Sequence, residues 1–447
     1  MWCGLLHRCN AKDEFLTVVI RQTRVVWFNT FNFPKTEVGS GKSGAPVQTL
    51  ENLEMKKTLV ALAALSAISA FAQSSVVIDG YFDRGYTSVS NSNGTKDLKT
   101  IGSSAGTTTV GIKVREDLGN GMSVGGSVNT DWSDLGGATQ GNAAASSAQA
   151  TGFANSQSFV DVTDAKLGTL RLGAVNNFTL TNATAVASPA YSTGIGSAYS
   201  SNFSIANGVG TGATGYGGAA YLSTAASGSA VTGARAIRIS NTVQYSSPAF
   251  LGGLTAHVGI TPQNDNVTAT SGMGNTVGVK EYALRYTNGP VDAMYTSIKY
   301  SVGSNGTSMN AFDNTTSPAT LTNKTLAANL TSTQNLLGAT YQVLPALKLH
   351  AGLGSFSSSN DASKGKSTQY GATYTVGAWD ISGQVAKVDD QSTTNADRKL
   401  TGLGVNYNLS KTARAYVRYD NIDYGTTQTA FSGSTQKRTA IGVSKSF

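Results

Sequence analysis

The stretch Met122-Ser123-Val124-Gly125-Gly126-Ser127-Val128-Asn129-Thr130-Asp131-Trp132 alternates with period two. Met122, Val124, Gly126, Val128, Thr130 and Trp132 suit an oily surface, whereas Ser123, Gly125, Ser127, Asn129 and Asp131 suit water. Successive side chains of a β-strand point to opposite faces, so the stretch reads as a ribbon that is oily on one side and wet on the other. A strand crossing hydrocarbon must satisfy every N–H and C=O through its neighbours, and only a closed sheet leaves no open edge.

The same alternation recurs through the rest of the chain. Ala413, Ala415, Val417 and Tyr419 interleave with Arg414, Tyr416, Arg418 and Asp420, and Leu347, Leu349, Ala351 and Leu353 interleave with Lys348, His350 and Gly352. Segments of about 9 to 12 residues with this period are the signature of transmembrane barrel strands. Sixteen of them are expected, starting near residues 75, 106, 121, 156, 169, 236, 254, 280, 291, 334, 346, 367, 378, 398, 412 and 438. The number is even, as single-chain bacterial barrels have it.

Their connections alternate between short and long. Leu118-Gly119-Asn120-Gly121, Lys166-Leu167-Gly168-Thr169, Thr287-Asn288-Gly289-Pro290, Val343-Leu344-Pro345 and Leu409-Ser410-Lys411 are short. Residues 87–105, 133–155, 177–235, 262–279, 302–333, 358–366, 389–397 and 425–437 are long. Short turns at one rim and long loops at the other are the asymmetry of an outer-membrane barrel. The longest connection, 177–235, contains no Asp, Glu or Lys and a single Arg at its last position. Its aromatic residues Phe178, Tyr191, Tyr199, Phe203, Tyr216 and Tyr221 are expected to pin it to a wall, since a loop of this length is either functional or disordered.

Targeting and composition agree with export. Met55-Lys56-Lys57 followed by the apolar run Leu59–Ala72 has the layout of a secretory signal peptide, ending in the small-x-small site Ala70-Phe71-Ala72. The expected organisation is therefore a mis-called start or extension over 1–54, a signal peptide over 55–72 cleaved between Ala72 and Gln73, and a barrel domain over 73–447. That run is 14 residues long and falls short of the roughly 20 that a spanning helix needs. From Gln73 onward there is no cysteine, which excludes a disulfide scaffold. Charges in that region are 25 Lys and Arg against 20 Asp and Glu, scattered at strand-like spacing rather than clustered as in a nucleic-acid binder. With 51 Gly, 18 Tyr and 8 Pro, the chain reads as all-β with many turns.

Four stretches resemble the Gram-negative general porins of the beta-proteobacterial type. They are Val76-Val77-Ile78-Asp79-Gly80 as an opening strand, Val110-Gly111-Ile112-Lys113-Val114-Arg115-Glu116-Asp117-Leu118-Gly119 as a second strand and first turn, Asn241-Thr242-Val243-Gln244-Tyr245-Ser246-Ser247-Pro248 as the strand after the third loop, and the terminal Phe447. The resemblance implies a sixteen-stranded antiparallel transmembrane β-barrel with short periplasmic turns, long external loops and an inward-folded third loop, placed here at 177–235. It also implies a homotrimer in outer-membrane lipid and lipopolysaccharide, passive diffusion of small hydrophilic solutes and ions, and barrel-assembly machinery that reads Phe447. The chain departs from the family where Thr109 and Ala174 replace constriction arginines and where the third loop lacks carboxylates. Arg238 keeps its match.

Selectivity in a wide pore comes from its bore and from rings of charge, which act only where the pore is narrow because the Debye length is about 8 Å at physiological salt. By parity the wall candidates are Lys113, Arg115, Arg171, Arg238, Lys348, Arg414 and Arg418, expected to give a weak anion preference. Isolated Asp79, Asp83, Asp131 and Asp161 read as lumen lining, so no metal is assigned and no cofactor is expected. Two other classes compete. A barrel enzyme would need His257 or His350 within reach of a Ser or carboxylate at the loop end, and the chain has no nucleophile elbow or metal-spaced cluster. A surface adhesin would concentrate its Ser/Thr/Gly/Asn tracts in one repeat array, whereas here they sit between strand pairs.

Overall fold

In the computed structural model of the chain, the described residues are 74–92, 98–131, 156–198, 238–262, 277–302, 307–313, 320–325, 331–359, 364–391, 397–425 and 435–447. The chain divides into two units, 1–65 and 66–447, and every described residue belongs to the second. The expected extension 1–54, the leader 55–72 and the cleavage pair Ala72 and Gln73 lie outside the described residues.

Nineteen strands are described. They run β1 (Ser74–Asn91), β2 (Leu98–Gly102), β3 (Thr109–Gly119), β4 (Met122–Asp131), β5 (Ser158–Asp164), β6 (Gly168–Asn176) and β7 (Arg238–Ser246). Next come β8 (Leu254–Thr261), β9 (Val277–Asn288), β10 (Val291–Val302), β11 (Thr307–Asp313), β12 (Thr320–Thr325) and β13 (Thr331–Leu344). The last six are β14 (Leu347–Ser358), β15 (Lys364–Val376), β16 (Trp379–Asp390), β17 (Arg398–Asn408), β18 (Ala413–Asp423) and β19 (Thr435–Ser446).

Sixteen of these close a ring. From β3 to β10 each strand pairs antiparallel with the next, β10 pairs with β13, and the meander continues to β19. β1 closes the circle, pairing with β3 through Ser74–Tyr81 and with β19 through Tyr81–Asn91. All sixteen begin within three residues of the starts read from the alternation. Three strands were not foreseen. β2 pairs beside the upper half of β1, and β11 and β12 form a separate hairpin in the connection between β10 and β13. Both lie in stretches read as loops, because a short strand that need not cross hydrocarbon has no oily face to write into the sequence.

The outward face is largely apolar across the middle of the staves. Ile112 and Val114 on β3, Val160 and Val162 on β5, and Leu170 and Leu172 on β6 are all exposed, and so are Leu349 and Leu353 on β14. Tyr245, Tyr286, Tyr341, Tyr374, Trp379 and Tyr407 are exposed within a few residues of a short turn. Together they form the aromatic girdle expected at a membrane interface, with Trp379 and Tyr407 touching across two strands at 4.6 Å. No helix among the described residues is long and apolar enough to cross a membrane.

The short-turn rim is built from tight reversals. Asp164 Oδ1 accepts the amides of Lys166 and Leu167 at 2.7 and 2.9 Å, an Asx turn joining β5 to β6. At the same rim the ring is sealed by the last residue. Phe447 exchanges two main-chain hydrogen bonds with Gly80, each 3.1 Å, and its ring stacks on Phe82 at 5.2 Å. Such ring pairs contribute about 0.5–1.5 kcal/mol beyond their burial. Phe447→Ala should keep the backbone pair but lower the temperature at which the folded band converts to the unfolded band in SDS electrophoresis; an unchanged conversion temperature would show that the seam does not depend on the ring.

Candidate functional site

Side chains opposite the outward residues point into the lumen, and one segment of chain crosses over them. Residues 177–198 leave β6 and follow the inner face. They start with a single helical turn, α1 (Phe178–Thr181), followed by a widened turn at Asn182–Val186 and a tighter one at Pro189–Tyr191. The remainder of the expected third loop, residues 199–237, lies outside the described residues.

This segment carries no charged side chain, yet it is held by charged ones. Glu281 of β9, flanked by outward Tyr282, accepts the Phe178 amide at 2.9 Å and both the amide and hydroxyl of Thr179 at 2.7 Å. These are first-turn donors that a helix cannot satisfy internally, and Asn177 caps a third, the Leu180 amide, at 2.7 Å. At the far end, Asp420 of β18 accepts the Gly196 amide at 2.7 Å while Arg438 of β19 grips both its carboxylate oxygens at 2.9 and 2.5 Å. Asp83 of β1 accepts the successive amides of Ser104, Ala105 and Gly106 at 2.6, 2.7 and 3.1 Å, and the Tyr416 hydroxyl at 2.7 Å. Ile195 then donates to Ser104 O at 2.9 Å, tying this nest to the segment.

Between those ends the wall offers polar hooks and bare floor. Asn182 donates to Met294 O and Leu336 O at 2.9 and 2.8 Å, and the His350 Nδ1–H donates to Ala187 O at 2.9 Å. Ser188 donates to Gln384, and Gln384 in turn donates to Gly196 O. Tyr191 donates to Ser382 O at 2.5 Å, and burial raises its phenol pKa above the ordinary value, so it remains a donor. A Cβ at Gly402 would lie 3.0 Å from the Gly196 backbone, and one at Gly404 would lie 3.0 Å from the Tyr191 ring. Gly194 and Gly196 have φ of 83° and 85°, a region that glycine alone enters freely. The apolar contacts are small: Val186, Ala283 and Met294 pack together with Phe178 against them.

Of the wall candidates, Lys113 lies 2.7 Å from Asp79 with half of its side chain exposed. Arg115 and Arg171 converge on Asp161 at 3.0 and 3.7 Å. Lys348 is exposed. Arg414 reaches Ser444 at 3.1 Å and the Tyr81 hydroxyl at 3.4 Å. Arg238 begins β7 opposite Asn176, and its side chain is outside the described residues. Arg418 requires a correction. It points inward as its parity demands, but at 4% exposure it lies beneath the segment, donating to Thr193 O at 2.9 Å and Ile195 O at 3.4 Å. Its charge holds the segment rather than lining open water.

Glu281, Asp83, Asp420 and Arg438 are the residues that sequence reasoning did not single out as a set. A signal for Glu281 existed, since it shares its inward face with Val279 and Ala283, and an acid among small apolar inward residues implies that something packs over it. Among the described residues no cluster with metal-binding composition exists. Ser246 Oγ does lie 2.9 Å from His257 Nδ1, but at the short-turn rim, and the other ring nitrogen meets Thr255 rather than a carboxylate.

The family described as Gram-negative porin matches residues 58–427. Among solved structures, an anion-selective porin from Comamonas acidovorans is similar at TM-score 0.60 and 20% identity, covering 84% of this chain and 100% of that one. OmpT of Vibrio cholerae in its trimer form is similar at 0.52 and 13%, covering 84% and 99%. Salmonella typhi OmpF in complex with daunomycin is similar at 0.52 and 13%, covering 83% and 97%. No curated protein matches in sequence.

Removing the Glu281 carboxylate leaves three donors without an acceptor, two of them fully buried and each of those costing about 1–3 kcal/mol. In Glu281→Ala, amide hydrogen exchange at Phe178 and Thr179 should accelerate by about a hundredfold while β16 amides keep their protection; equal protection in both proteins would mean that the carboxylate does not hold the segment.

Proposed function

The chain belongs to the Gram-negative porin family, and from that premise we propose a weakly anion-preferring diffusion channel for small hydrophilic solutes and ions. Its place is the outer membrane, where the closed sixteen-stranded barrel with an apolar exterior forms a passive channel. The observation that carries the preference is the balance of accessible lumen charge. Lys113, Arg115, Arg171 and Lys348 remain exposed to the interior against the part-exposed Asp79, whereas Glu281, Asp83 and Asp420 are buried against main-chain amides. Asp420 is neutralised by Arg438, and Glu281 and Asp83 are covered, so the charged side chains that a solute can touch on this wall are mainly cationic. Arg414 adds to the same sign, and the parity of the sequence assigns Arg238 to the same set.

The loop segment 177–198 narrows the lumen and sets the bore, in keeping with its contacts from β9 round to β18. The preference rests on these wall charges; the Comamonas protein that shares the fold is described as anion-selective, which is of the same sign. We assign the chain no catalytic role, because the Ser246–His257 pair lacks an acid. In the membrane the channel is a homotrimer surrounded by lipid and lipopolysaccharide, as the described trimer form of the Vibrio relative favours. Phe447 is the residue read by the assembly machinery, and residues 55–72 are the leader removed before Gln73.

Planar-bilayer recordings under a potassium chloride gradient test the preference: the reversal potential should carry the sign for chloride permeating faster than potassium. A reversal of the opposite sign would reject the preference and leave the channel intact. Mass spectrometry of the protein purified from membranes should begin at Gln73, and any peptide from before Met55 would overturn the leader assignment.

A further inference from the structure

The described residues of the loop bond to strands from β9 to β18 and to the nest at Ser104, and eight places round the sixteen-stranded ring from β13–β16 stands the wall of β3–β6. On that wall, we propose, Arg115 and Arg171 form a binding station for small oxyanions of the carboxylate or sulfate class. This rests on the channel reading above and adds to it a saturable site with its own ligand chemistry.

Four neighbouring strands assemble the station in one lateral row. Arg115 pairs with Gly125, Gly125 with Asp161, and Asp161 with Arg171. The flanking residues Val114, Val160, Val162, Leu170 and Leu172 are exposed on the outside, so the row faces the lumen. Gly125 supplies the floor over which Arg115 extends, since a Cβ there would lie 2.9 Å from Asp161 Oδ1 and 3.1 Å from Arg115 Nη2.

Both guanidiniums are held in place. Arg115 donates from Nη2 to Asp161 Oδ1 at 3.0 Å and from Nη1 to Ser123 Oγ at 2.6 Å. Arg171 places Nη2 3.7 Å from the other carboxylate oxygen and lies over the Phe159 ring at 4.3 Å. The shared carboxylate is covered, its side chain 5% exposed, while the two arginine side chains remain 47% and 34% exposed. An anion therefore meets two oriented cations that share a single buried negative charge. Each guanidinium carries five N–H donors, most of which are not used here, and their planar fork matches the oxygens of a carboxylate or sulfate. Lys113, two residues towards the long-loop rim on β3 and held by Asp79 at 2.7 Å, supplies the next positive group along the path.

Sulfate as a blocker of chloride current in planar bilayers tests this. Wild-type conductance should fall saturably as potassium sulfate is added. The double substitution Arg115→Gln with Arg171→Gln should raise the half-blocking concentration by about tenfold. Asp161→Asn should lower it, because the competing carboxylate charge is gone while the shape is kept. The charge-preserving pair Arg115→Lys with Arg171→Lys should fall between wild type and the double Gln variant, since the charge stays and the fork is lost. An unchanged half-block in the double Gln variant overturns the station, and so does an Asp161→Asn channel that loses block to the same degree, which would mark the cluster as merely structural. Absence of any pore conductance in the wild type would sink the channel reading itself, whereas normal conductance without saturable block sinks the station alone.

Discussion

Every peptide group in a hydrocarbon layer needs a partner, and in this molecule that demand converges on one stave. β1 has to hydrogen-bond along both edges for the ring to have no end. It does so with β3 below and β19 opposite, but its upper half takes β2 as a substitute neighbour. Where the neighbour changes, residues 103–108 leave the sheet and a notch opens. Asp83 fills the notch from inside with three amide hydrogen bonds. Arg84 fills it from outside, donating to Asp83 O at 2.7 Å, Thr108 Oγ1 at 3.0 Å and Ser103 Oγ at 3.3 Å.

The same need for partners explains how a loop without charges can be bound so firmly. A short chain segment laid along the inside of a barrel buries its own amides and carbonyls, which no ladder reaches. Here the wall supplies the ions and the segment supplies main-chain dipoles: Glu281 and Asp420 take amides, and Arg418 takes carbonyls. Charge-assisted bonds of this kind are about twice as strong as neutral ones. One electrostatic consequence follows. Acids committed to amides are covered from the solute's view, and so are Arg418 and Arg438 beneath the same segment.

The staves were legible in the chain because lipid and water on opposite sides impose a period of two that survives along each crossing. Met122 to Asp131 carries it, and so do Leu347 to Leu353 and Ala413 to Asp420. The turns were legible from Gly119-Asn120-Gly121 and Gly289-Pro290 for equally local reasons. Parity also assigned the inward direction of Lys113, Arg115, Arg171, Lys348 and Arg418, since facing is fixed once the register of one strand is known.

Parity could not say which inward charges are free and which are covered. Arg418 and Arg115 look alike in sequence, yet one lies beneath Thr193 and Ile195 while the other is half-exposed beside Asp161. Glu281 is more than 100 residues from Phe178 and Asp161 lies on a different strand from each arginine it joins. Strand facing is a local property of the backbone, determined within a few residues, so the sequence alone settled the barrel and its wet and oily sides. Contact across the lumen and around the ring depends on where closure brings distant staves and on how one uncharged segment lies over them. That was decided only when the cylinder shut.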